Sequence, residues 1–399
     1  MVSMNRLDYR DLARRAFPFI KTFLSPIISE DEQETLHPKL YDELINSGTD
    51  AIVRKLREYN DRRRKLVEDL KKKISINKFV VDESVSNSRL VASDASNNGV
   101  DFRSAFIPFY ASAAIVTEGK KIVDEPIFKV DEQDVWPDEP RAHDRESLLA
   151  SKLQFEVTLD AIERWRPKYV IIDGSLLLNY WLLPIRPGFT EEYKRDFNLT
   201  ILKSIELIYT CFKMDIPIVG FVKRTRVNDI CAELGFPKMR DTALLDTVLS
   251  MGEYTEPKPI QKENMVLKWY RNTCHKMGVS ETDIENVFDI YFSYIKTGFT
   301  TPFRLEFPRY CIDSFRDISS IILATSEEYG IPFALNEVDN LVKISSFLSN
   351  IRTLIIYSKA LDLVKKGDLS QEDLNLFSLQ HGERWVIGDR EYLKNLLEI

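Results

Sequence analysis

The chain has 399 residues, 44% of them apolar, and a formal net charge of −7; that is material for a sizeable core in two or three domains or one elaborated domain, with a charge balance that argues against a generic polyanion binder. No apolar run reaches the roughly 18 to 20 residues that a bilayer span needs, and the opening Met1-Val2-Ser3-Met4-Asn5-Arg6 lacks the apolar centre of a signal peptide. The four cysteines, Cys211, Cys231, Cys274 and Cys311, are scattered without a CxxC pair, so reduced thiols in a cytoplasmic protein with no membrane contact are expected, rather than a disulfide frame or a thiolate metal site.

Residues 1–83 read as a helical arm. Ile52, Leu56, Tyr59, Leu66, Leu70 and Ile74 recur at three-to-four spacing. Between Arg54 and Lys73 lie ten basic residues against four acidic ones, either a solvated helix face or one turned toward DNA or a partner. An antiparallel meander follows: a strand over 90–94, a long aromatic-rich strand over 102–116, a turn at Gly119-Lys120 and a strand over 121–130. An acidic loop with Pro137 and Pro140 leads into a helix over 147–164, where Leu148, Leu149, Leu153, Phe155, Val157, Leu159 and Ile162 form a wide apolar face. Pro167 ends it before a fourth strand over 169–173. A helix over 191–212 and a fifth strand over 216–222 come next, closed by Lys223-Arg224-Thr225-Arg226. The polar stretch 253–286 reads as an insertion, residues 290–295 and 303–307 as two more strands, and the chain as helical from Ser314 on. The expected division is an arm over 1–83, a core over 84–350 with an insertion near 253–286, and a helical tail over 351–399.

Two short apolar runs end alike. Arg89-Leu90-Val91-Ala92-Ser93-Asp94-Ala95-Ser96 and Tyr169-Val170-Ile171-Ile172-Asp173-Gly174-Ser175 each close on an aspartate and a small-residue turn. Val and Ile enrichment marks a buried strand, and a carboxylate at its end is partly dry and held by rigid backbone. A three-strand meander, a helix, a fourth strand and a fifth is the order of the ribonuclease-H-like fold: an α/β mixed sheet flanked by helices, here with N- and C-terminal helical extensions. In that architecture acidic residues lie on the first strand, on a helix or neighbouring strand, and on the fourth strand. Asp94 and Asp173 take the outer places. Glu156, an acid inside an apolar helix face, is the middle candidate; Glu146 and Glu163 are the alternatives. The plainer readings are turn caps for the aspartates and a snorkelling side chain for Glu156. Lys223, Arg224 and Arg226 are either a solvated loop or DNA phosphate contacts, and Arg304 in its apolar strand reads as a structural ion pair.

These residues sit in segments that resemble the NurA nuclease family, in order. Val91-Ala92-Ser93-Asp94-Ala95-Ser96 looks like its first strand, Leu153-Gln154-Phe155-Glu156-Val157 like its helix motif, and Val170-Ile171-Ile172-Asp173-Gly174-Ser175-Leu176 like its Asp-Gly-Ser-Leu element. Gly220-Phe221-Val222-Lys223, Asp241-Thr242-Ala243-Leu244-Leu245 with Gly252-Glu253, Pro302-Phe303-Arg304-Leu305-Glu306-Phe307-Pro308, and Ile331-Pro332-Phe333-Ala334-Leu335-Asn336-Glu337-Val338-Asp339 resemble its later motifs. The likeness spans about residues 85–350. It implies a Mn²⁺- or Mg²⁺-dependent 5′-to-3′ exonuclease and endonuclease on DNA, a ring-like homodimer, and partnership with the hexameric HerA translocase, a ring ATPase, in DNA-end processing. Asp94, Glu156, Asp173 and Asp339 would be the catalytic and metal-holding residues. The sequence departs from the family where members often carry a tyrosine and a histidine: Ile331 and Asp339 stand there. A carboxylate replaces imidazole acceptably for a hard cation, although Asp339 also suits a plain helix-start acid. None of His37, His143, His275 and His381 falls in a matching motif. A catalytically inactive adaptor that binds DNA and docks on a ring ATPase is the second class.

Overall fold

The computed structural model of the protein describes residues 48–370 except 80, 133, 138, 186, 187, 237, 262 and 263, together with Lys39, Glu43 and Glu372. Most of the expected arm before Gly48, most of the expected tail, and with them His37 and His381, lie outside the described residues. The chain divides into two units between Leu66 and Val67, whereas the sequence suggests a boundary near 83. The first unit holds most of helix α1 (Gly48–Lys71).

In the second unit β1 (Ile76–Lys78) and the one-turn α2 (Glu83–Ser86) precede β2 (Arg89–Asn97), β3 (Val100–Asp101), β4 (Ala105–Ile107), β5 (Tyr110–Glu118), β6 (Lys121–Ile122), β7 (Ile127–Val130) and β8 (Trp136–Pro137). Then come α3 (Ala142–Trp165), β9 (Tyr169–Asp173), α4 (Glu191–Lys213), β10 (Ile218–Val222), α5 (Asp229–Glu233) and α6 (Asp241–Val248). After β11 (Glu253–Thr255), β12 (Lys258–Pro259), α7 (Met265–Lys276) and α8 (Glu281–Phe288), the hairpin β13 (Ile290–Ile295) and β14 (Phe303–Pro308) leads to α9 (Phe315–Thr325), α10 (Phe333–Val342) and α11 (Ser346–Lys366).

Eleven strands share one mixed sheet in the order β1-β11-β13-β14-β10-β9-β2-β5-β6, with β12 beside β13 and β7 beside β5. Among the described strands, only β2, β9 and β10 run parallel to one another. This is the mixed sheet flanked by helices that the sequence predicts. Side chains alternate across it. Val91, Val170, Ile172 and Ile218 enter the core under α3, α4, α7 and α8. Leu90, Ala92, Tyr169, Ile171, Val219 and Phe221 enter the core under α9 and α10. Strands buried on both faces explain the unbroken apolar runs before Asp94 and Asp173.

Two expected strands are broken, each beside a proline. The 102–116 segment splits at Pro108: β4 leaves for a small sheet with β3 and β8, and β5 stays in the main one. The 121–130 segment splits around Pro126 into β6 and β7. A proline has no N–H to give to a ladder. Residues 253–286, polar on paper, are built into the body: β11 and β12 extend the sheet edge, while α7 and α8 bury Val266, Leu267, Tyr270, Cys274, Ile284, Val287 and Phe288. No described helix is long and apolar enough to cross a membrane.

Candidate metal centre

The parallel pairing of β2 and β9 ends at Ser93 and Ile172. The next residue on each strand, Asp94 and Asp173, therefore stands where that pairing stops, Asp173 closing β9 and Asp94 inside β2, which stays paired with β5 as far as Asn97. Helix α10 packs across β2 and β5 and brings Asp339 to the same place. One carboxylate oxygen from each of Asp94, Asp173 and Asp339 lies within 4.8 Å of the other two. The turn after Asp173 depends on two glycines. Gly174 has φ +103°, a left-handed conformation favouring glycine, and its N–H donates to Phe221 O at 2.9 Å. On β10, a Cβ at Gly220 would come within 2.7 Å of Gly174 O and 2.9 Å of Leu176 N, so the neighbouring strand leaves room for that turn.

Lys223 follows β10 and reaches into the cluster. Its Nζ lies 2.5 Å from Asp173 Oδ2 and 3.4 Å from Asp339 Oδ1. Burial, then the charge of Asp173, pushes the Asp94 carboxyl up to about 8. Asp173 is also raised, chiefly by burial, against the pull of Lys223. Burial works against the Lys223 ammonium, but its acidic neighbours, Asp173 foremost, hold its pKa above the usual lysine value. Crowded carboxylates with a strained ionisation are what a hard divalent cation relieves, and three oxygen donors from three separate elements suit Mg²⁺ or Mn²⁺.

Glu156, expected to complete the site, is not brought to it. Residues two apart on a helix point roughly 200° apart, and α3 turns Gln154, not Glu156, toward the sheet. Gln154 Nε2 donates to Ser93 O and to Asp173 O, both at 3.0 Å. Glu156 lies on the far side, 3.7 Å from Lys152 Nζ, in a cleft that Glu163 also lines with Lys129 and Lys203. Glu146 is buried and spoken for: Oε1 accepts from Phe109 N at 2.6 Å and Oε2 from Asn97 Nδ2 at 2.9 Å. Burial raises its pKa. The signal for Gln154 was a stripe of small or polar residues, Ala150, Gln154, Thr158 and Ala161, all buried, hidden among larger apolar neighbours.

Arg304 is the structural ion-paired residue that its apolar strand suggests, and it anchors a buried chain of contacts beside the site. Its Nε donates to Glu306 Oε1 at 2.8 Å, and its Nη1 to Asp229 Oδ2 at 2.9 Å. Glu306 Oε2 in turn accepts from Ser175 Oγ at 2.5 Å, which ties the turn after Asp173 to β14. Tyr294 OH donates to Asp241 Oδ2 at 2.9 Å, and Asp241 Oδ1 accepts from Cys231 N at 2.8 Å, fastening α5. Ser175 and Glu306 had no role in the sequence reading. Arg224 and Arg226 are exposed on the turn that follows Lys223. His143 pairs with Asp101 at 2.7 Å and His275 with Glu281 at 3.4 Å, so neither joins the cluster.

Residues 88–344 match the family model of the NurA domain. The chain belongs to the NurA domain family. The matched span opens just before β2 and closes after α10, so Asp94, Gln154, Asp173, Lys223, Glu306 and Asp339 all lie inside the NurA domain. The NurA nuclease from Sulfolobus solfataricus has a similar crystal structure, at 16% identity and TM-score 0.57, over 84% of this chain and 99% of that one. Another crystal structure of NurA matches at 12% identity and TM-score 0.51, over 82% and 99%. At such identities the likeness is one of fold. No curated protein sequence matches the chain.

Proposed function

We propose that this NurA-domain protein is a deoxyribonuclease that hydrolyses phosphodiester bonds with Mn²⁺ or Mg²⁺ held by Asp94, Asp173 and Asp339. The meeting of these three carboxylates within 4.8 Å carries the reading. Like charges this close disfavour their ionised forms unless a cation joins them. The metal, when bound, would supply Lewis acidity toward the phosphate and a lowered pKa for water. The chain's own part is placement. Strands β2 and β9 fix Asp94 and Asp173 rigidly, and Asp339, 49% exposed, forms the open side from which substrate arrives. Lys223 reaches into the cluster from the segment after β10, with Arg224 and Arg226 exposed beside it, and such groups suit contacts to DNA phosphates.

Kinship with the NurA nuclease supports the finer reading: 5′-to-3′ exonuclease and endonuclease action in DNA-end processing, in the cytoplasm, as a homodimer driven by a HerA-type hexameric ATPase. A two-fold dimer with its basic turns facing one channel would reconcile an acidic chain with DNA binding. One observation favours the inactive DNA-binding adaptor as a second reading, namely that α3 presents the amide of Gln154 rather than an acid. The two part in a cleavage assay on single- and double-stranded DNA with Mn²⁺, Mg²⁺ or chelator. The nuclease cuts only with metal; the adaptor binds DNA and leaves it intact. Sedimentation at micromolar protein and co-elution with a HerA-type hexamer test the assembly; a monomer with no co-elution would remove it.

A further inference from the structure

We infer that Gln154 is the positioning residue that sets the gap between Asp94 and Asp173, and through it the cluster's affinity for a divalent cation. The inference rests on the metal-site reading above. The parallel ladder between the two ligand-bearing strands stops at Ser93 and Ile172. One step further, the strands must hold two carboxylates that repel each other. At that point one side-chain amide takes over from the ladder. Gln154 Nε2 spans the strands, donating at 3.0 Å to Ser93 O, on the peptide that leads into Asp94, and at 3.0 Å to the carbonyl of Asp173 itself.

The amide is firmly seated. Gln154 is 7% exposed, and the flanking Phe155 and Val157 are locked in the core. One turn on, Thr158 Oγ1 lies 2.7 Å from Ser93 Oγ, a second grip on the same residue of β2. The chemistry also explains why an amide, not an acid, stands here. A glutamate at this position would set a carboxylate against two carbonyl oxygens and offer no donor to either. A lost donor would remove the amide that grips both carbonyls and with it a link between the two strands at the point where the carboxylates meet. Partners that orient metal-holding side chains influence affinity without touching the ion.

The test is Mn²⁺ binding by calorimetry on the full chain, run well below the melting temperature, for wild type and Gln154→Leu, with melting recorded for both. The expected result is a dissociation constant weaker by about 10–100-fold in Gln154→Leu, the range for such supporting partners. If Gln154→Leu fails to fold, Gln154→Asn, which keeps the amide on a shorter stem, is measured the same way and is expected to weaken binding by a smaller factor. A variant that melts lower but binds Mn²⁺ as wild type does would overturn the inference, since Gln154 would then only hold the helix to the sheet. A wild-type chain that takes up no Mn²⁺ would overturn the metal-site reading, and this inference with it.

Discussion

Lys223 Nζ stands 2.5 Å from Asp173 Oδ2, inside the cluster of carboxylates. A single ammonium there offsets part of the charge of three carboxylates, and it also opposes a divalent cation at the same oxygens. Lys223→Met is therefore expected to bind Mn²⁺ more tightly, by about tenfold for roughly 1.4 kcal/mol of relieved repulsion, and DNA more weakly. Calorimetry and a DNA-binding titration read the two effects. Tighter DNA binding, or unchanged metal binding, would show that Lys223 serves only as a structural counter-ion.

Burial and Asp173 raise the Asp94 carboxyl to about 8, so metal binding must expel a proton below that pH. Mn²⁺ affinity is expected to climb from pH 6 to about 8 and level off above. Without metal the sign reverses. A carboxyl whose folded pKa exceeds its unfolded one stabilises the fold below the unfolded value near 3.8 and loses that contribution as pH rises through about 8. The metal-free melting temperature should fall across that window, and Asp94→Asn should flatten the fall. A metal-free melt independent of pH would contradict the shift.

Asp339 joins the carboxylate cluster and Glu156 does not. Glu156→Gln should leave Mn²⁺ affinity within about twofold of wild type, because the side chain faces a cleft away from the cluster. Asp339→Asn should raise the Mn²⁺ concentration needed for half-maximal cleavage, and Asp339→His should restore part of the loss. A metal titration unmoved by Asp339→Asn would reduce that residue to a helix acid.

Asp94 and Asp173 were legible in the sequence because buried strands write themselves as apolar runs; the small-residue turn holds after Asp173, which closes β9, but β2 runs three residues past Asp94 to Asn97, still paired with β5. The mixed sheet and its flanking helices followed from the alternation of strand and helix after the meander. Helix phase was less legible. Leu153-Gln154-Phe155-Glu156 places an amide and an acid two residues apart, and the wide apolar face of α3 hid the stripe of small and polar residues that marks the side of Gln154. The Ser175–Glu306 hydrogen bond joins residues 131 positions apart, a closeness that only strand order creates. The segment 253–286 reads as an insertion because its composition is polar, yet the few apolar residues of its short helices lie in a main core.

Arg304 offers a check on that buried network. Arg304→Met leaves the carboxylates of Glu306 and Asp229 without their guanidinium, and the loss is expected to cost about 3–5 kcal/mol of stability, read by denaturant unfolding. Adding Glu306→Gln and Asp229→Asn to the same chain should recover part of it, since the unpaired acids are then gone. A neutral single variant would mean that the network is solvated in solution.

The central claim is most directly tested by cleavage of end-labelled DNA by the purified chain with Mn²⁺, wild type beside Asp173→Ala, each with its fold verified by circular dichroism. Wild type is expected to cut with Mn²⁺ and to stop when the metal is chelated, and Asp173→Ala to be folded but inert. Equal cleavage by the two proteins, or no cleavage by a folded wild type with either Mn²⁺ or Mg²⁺, would contradict it.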